Sequence, residues 1–138
     1  MAVKKIEEAL SIKDKLLKRF KAEGEFNIDL GDGCILECRV PTNYVEKAKL
    51  EADVASNFVS THGMEGDPNI YVAEQLAAVI TNLNAGEIKE LVENCPDLIS
   101  YVQAEIESHS GVVSRILQKE SMEESRKKSK LTETGEQS

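Results

Sequence analysis

Residues 24–42 read GEFNIDLGDGCILECRVPT, and they form the one stretch of the chain that alternates apolar and polar side chains with the period of a strand. Phe26, Ile28 and Leu30 fall on one face and Asn27 and Asp29 on the other. After Gly31-Asp32-Gly33 the alternation resumes, with Cys34, Leu36, Cys38 and Val40 set against Glu37 and Arg39. Residues that tolerate positive φ, placed between two alternating runs, specify a β-hairpin. Two strands bury too little surface to stand alone, so the helices before and after must cover the apolar face.

Upstream, Ile6, Ala9, Leu10, Leu16, Leu17 and Phe20 recur at helical spacing between lysines, which predicts a helix over residues 3–20 that Gly24 stops. Downstream, Pro41 ends the second strand, and Asn43 with Glu46 has the spacing of a capping box for a helix reaching about Thr61. Gly63-Met64-Glu65-Gly66 connects it to Asp67-Pro68, an N-cap carboxylate followed by a proline at the first helical position. The helix expected there, residues 69–83, is apolar nearly all round and reads as the centre of a bundle. Asn84 with Glu87 opens a short helix that ends at Pro96, and Asp97 opens another that Ser108-His109-Ser110-Gly111 breaks. Val112, Val113, Ile116 and Leu117 begin the last helix. Beyond Gln118 only Met122 and Leu131 are large and apolar, too little to offset the entropy of ordering the segment.

The expected fold is therefore α+β and mainly helical: an N-terminal helix, one β-hairpin at about 25–40, then a small helical bundle. One domain spans residues 1–117, and residues 118–138 form a charged flexible tail. Aliphatic residues dominate an apolar content of 41%, and there is no Trp, which favours packing between helix faces over a sandwich. A net charge of -8 argues against a nucleic-acid footprint, which needs a Lys/Arg surface to release counterions from phosphate. No apolar run approaches the ~20 residues that span a bilayer, and the charged N-terminus lacks the apolar core of a signal peptide. A cytoplasmic protein is expected.

Each chemistry the residues suggest has a simpler structural explanation. Cys34 and Cys38 have a ligand-like spacing, but positions four apart on a strand lie ~13 Å apart, too far for one zinc ion. With Cys95 they read as reduced thiols that pack as small hydrophobes. His62 sits at a helix end and His109 in a helix break, neither beside a recognisable nucleophile, so capping or surface roles are expected. Glu87, Glu90, Glu93 and Asp97 are interleaved with Lys89 and Leu91 as on a solvated helix face. Gly31-Asp32-Gly33 lacks the Gly-Lys-Ser/Thr of a phosphate loop and reads as a tight turn. No catalytic, cofactor-binding or metal-binding residue is assigned, and no enzyme activity is expected.

The order of these features resembles the tail assembly chaperones of long-tailed bacteriophages. The likeness rests on FNIDLGDGCILECRVPT with its Asp32-Gly33 turn and its Arg39, Pro41 and Thr42, on LNAGEIKELVENCPDLISYVQAEI, and on SHSGVV with Ser110-Gly111 before a charged tail. It covers about residues 24–118. The resemblance implies a non-enzymatic protein of the bacterial host cytoplasm that binds the tape measure protein, keeps its long apolar helices soluble and helps recruit the tail tube protein. It also implies a longer form made by a ribosomal frameshift near the C-terminus, for which a slippery codon run at Lys127-Lys128 in the coding sequence is the test. A different class of function is a small structural or adaptor subunit, a virion component or regulatory protein, that forms homo-oligomers through the apolar helix of residues 69–83. Such a subunit would stay in the finished particle, which a chaperone leaves.

Overall fold

A computed structural model describes the backbone of residues 11–137 and the side chains of residues 11–127. Its elements are helix α1 (Ile12–Phe20), strands β1 (Glu25–Asp29) and β2 (Ile35–Arg39), and helices α2 (Tyr44–His62), α3 (Pro68–Ala77), α4 (Ala85–Asn94), α5 (Pro96–His109) and α6 (Val113–Gln137). This is the mainly helical α+β arrangement with a single hairpin that the alternation at residues 24–42 predicts. The portion of the first helix expected before Ser11 lies outside the described residues.

β1 and β2 pair antiparallel with Phe26 opposite Cys38 and Ile28 opposite Leu36. Gly31, Asp32 and Gly33 all take positive φ, and the Asp29 carboxylate accepts a hydrogen bond from the Gly31 N–H at 2.9 Å. Ile28, Cys38 and Val40 are buried, while Phe26 and Leu36 are half-buried. Cys34 departs from the expected pattern and is exposed. It still belongs to the turn, where its carbonyl accepts from the Leu30 N–H at 2.8 Å, and the strand proper starts one residue later at Ile35.

The helix expected over residues 69–83 ends at Ala77. The chain then turns and lies along the open edge of β2, where Ile80 bridges Cys38. Arg39 N–H donates to the Val79 carbonyl at 2.9 Å and Thr81 N–H to the Glu37 carbonyl at 2.8 Å. One residue further the Asn82 side chain takes over: its amide donates to the Ile35 carbonyl at 2.9 Å and its oxygen accepts from the Glu37 N–H at 3.0 Å. An unpaired strand edge is a template for unwanted pairing, and residues 79–82 occupy it. Tertiary pairing thus overrides the local helical pattern.

The core is built from Ile28 and Cys38 of the hairpin, Ala73 and Leu76 of α3, Ile80, Ile88 of α4, and Ile99 and Val102 of α5. Burying an aliphatic side chain of this size contributes about 1.5–3 kcal/mol. From α3, Ala73 and Leu76 enter this core, while Ile70, Tyr71 and Val72 are half-buried.

Side-chain caps set the helix starts. Asn43 accepts from the Glu46 N–H at 2.9 Å, Asp67 from the Asn69 N–H at 2.9 Å with Pro68 following, and Asn84 with Glu87 completes a reciprocal capping box. At Asn43 only one half of the expected box forms.

Among the described residues α1 contributes no buried side chain, and the core residues packed with the hairpin come from the segments after it. α1 is joined to the rest at its C-terminal end. Glu23 N–H donates to the His109 carbonyl at 2.9 Å, and Arg19 pairs with Glu120 of α6 at 2.5 Å. Gly111 lies beneath this junction with φ +81°, and a Cβ there would run into the Phe20 carbonyl oxygen. α6 leaves the core where the composition thins. Ile116 is half-buried, side chains from Leu117 to Lys127 are exposed, and the backbone stays helical to Gln137.

Candidate protein-docking surface

α1 is amphipathic for local reasons. Ser11 caps it by accepting from the Asp14 N–H at 3.1 Å, and Ile12, Leu16, Leu17 and Phe20, at i, i+4, i+5 and i+8, fall on one side. In a core helix that stripe would be buried. Here Ile12 is 77% exposed, Leu16 52% and Leu17 54%. With Phe20, Lys13 and Lys21 they line a shallow trough of about 480 Å³.

α2 shows the same economy of burial. Of its nineteen residues only Phe58 is buried, edge-on to Tyr71 with ring centroids 4.9 Å apart. Tyr44, Val45 and Val59 are exposed. Leu50 and Val54 form one wall of an apolar groove of about 440 Å³, and Val40, Val79, Ile106 and Val112 contribute to the rest. Lys47, Glu51 and Glu107 stand on its rim. The groove escapes a sequence reading because its residues come from four separate segments that only the tertiary fold brings together. The exposure of α1 escapes it too, since a stripe of that spacing reads equally as a core face.

The residues that suggested chemistry are dispersed. Cys38 is buried, its thiol pushed up to about 11 by burial; Cys34 is exposed and Cys95 sits at the junction of α4 and α5. Among the described residues no group of His, Cys, Asp and Glu is placed to hold a metal ion.

His62 lies 3.3 Å from Glu74 and leans on Phe58. His109 stacks on Phe26 with centroids 4.2 Å apart, and its Nδ1 contacts the Glu23 carboxylate. Burial, with a smaller contribution from Lys119, holds the His109 imidazole below its ordinary value. The contact with Glu23, together with the backbone bond from Glu23 to the His109 carbonyl, ties the segment before β1 to the end of α5. Glu87 is spent on its capping box and Glu93 faces Lys89 at 3.5 Å, while Glu90 and Asp97 are exposed. These carboxylates converge on no common point.

Compared with models of protein families, with curated proteins and with solved structures, the chain matches none. Among the described residues no helix is long and apolar enough to cross a membrane. The most distinctive physical feature is the apolar surface that α1 and α2 leave uncovered.

Proposed function

We propose that the protein is a non-enzymatic tail assembly chaperone that binds a phage tape measure protein, keeps it soluble and helps bring the tail tube protein to it. The observation that carries this reading is the exposed apolar face of α1, with Ile12, Leu16 and Leu17 each more than half exposed on a helix that adds nothing to the core. A helix of that kind leaves its apolar stripe in water in the free protein, and a second amphipathic helix can lay its own apolar side chains against such a surface. The apolar groove beside α2 offers further area of the same character. The resemblance of residues 24–118 to tail assembly chaperones supplies the identity of the partner.

The test is co-expression with the tape measure protein of the same phage. Raised solubility of the partner and a co-purifying complex that captures tube protein are expected. An unchanged yield of soluble tape measure protein would overturn the proposal. Mass spectrometry of finished particles separates the other class of reading, because a chaperone departs and a structural subunit remains.

A further inference from the structure

The trough on α1 carries charge as well as apolar surface. Lys13, Lys15, Lys18, Arg19 and Lys21 face only Asp14 between Ile12 and Lys21, in a chain whose net charge is -8. Asp14 is held by the Ser11 hydroxyl at 2.9 Å and Arg19 by Glu120 at 2.5 Å, so the cations lining the apolar trough itself are Lys13 and Lys21. We infer that this face docks an acidic amphipathic helix of another polypeptide, its apolar stripe against Ile12, Leu16, Leu17 and Phe20 and its carboxylates beside Lys13 and Lys21.

Charge decides between occupants. The α1 face of a second copy would bring the same cluster of lysines and repel, whereas an acidic helix gains attraction from Lys13 near one end of α1 and from Lys21 just past the other. The contact between Arg19 and Glu120 shows this pairing chemistry already in use at the inner end of α1. The inference specifies the partner's chemistry for the function proposed above and rests on that reading.

A synthetic peptide of about three heptads, with leucine at a and d and glutamate at e and g, is the probe, and its lysine counterpart is the control. Titration calorimetry is expected to show the glutamate peptide binding at least about tenfold more tightly than the lysine peptide, and weakening as salt screens the attraction. Leu16→Ser with Leu17→Ser, and separately Lys13→Glu with Lys21→Glu, should each weaken binding about tenfold with unchanged circular dichroism, since α1 holds no buried residue.

Equal binding of the two peptides would overturn the inference, as would undiminished binding by both variants. So would self-association through α1 in sedimentation, or preference for phosphatidylserine vesicles over the glutamate peptide. The two readings fail separately. A Leu16→Ser/Leu17→Ser variant that still solubilises the tape measure protein would overturn the docking face and leave the chaperone function standing. A wild-type protein that binds the glutamate peptide yet solubilises no tape measure protein would do the reverse.

Discussion

Truncating Ile88 and truncating Leu16 or Leu17 should have very different consequences, although all three are aliphatic residues at helical spacing. Ile88 is 1% exposed and sits among the side chains of α3, α5 and the hairpin, so Ile88→Ala removes a fully buried group and leaves a cavity. Substitutions of this kind cost about 3–4 kcal/mol, a large share of the 5–15 kcal/mol typical of a whole domain. Leu16 is 52% exposed and Leu17 54%. Each already leaves half of its surface in water, and alanine is the better helix former, so each truncation should cost under about 1 kcal/mol. Urea unfolding followed by far-UV circular dichroism measures both, with the slope checked for constancy. In thermal unfolding the Ile88 variant should melt at least about 10 °C lower, at roughly 4 °C or more per kcal/mol. A loss at Leu16 or Leu17 as large as that at Ile88 would refute the reasoning, because α1 would then be part of the core.

Three further perturbations probe other joints of the fold. Gly111→Ala must hold a positive φ and push back the Phe20 carbonyl, and should cost about 2–3 kcal/mol, whereas Gly33→Ala, with a positive φ but open space around it, should cost only about 1 kcal/mol; paired denaturation curves give the difference. Asn82→Ala removes the two hydrogen bonds that close the edge of β2 and should destabilise by about 1–2 kcal/mol, with faster hydrogen exchange at the Glu37 amide. Cys38 has its thiol pushed up to about 11 in the folded chain against about 8.5 when unfolded, so its share of stability is complete below about pH 8.5 and is lost as the pH rises towards 11. Alkaline unfolding of Cys38→Ala should lack that component, and in the native protein a thiol reagent should label Cys34 well before Cys38.

Much of the architecture is legible in the residues because local rules dominate there. Alternation marks both strands, three residues able to take positive φ mark the turn, and Asn43, Asp67 and Asn84 mark helix starts through short-range capping bonds. The misreadings occur where long-range contacts decide. Nothing within residues 69–83 announces that the chain abandons its helix after Ala77, because the reason lies in the vacant edge of β2 some forty residues earlier. Likewise the stripe on α1 is compatible with a core or a surface, and only the filling of the core by α3, α4 and α5 leaves it outside. The groove beside α2 depends on the same kind of convergence. What could be read directly is the negative charge of the whole chain and the concentration of lysine on α1, the contrast on which the inferred docking chemistry rests.

The most direct test of the proposal that this protein works by lending apolar helical surface is to dilute denatured tape measure protein into buffer holding increasing amounts of this chain, and to follow aggregation by light scattering. Scattering that falls with each addition and reaches its floor at a fixed ratio of the two proteins is expected. Aggregation that proceeds unchanged at every ratio would contradict the proposed function.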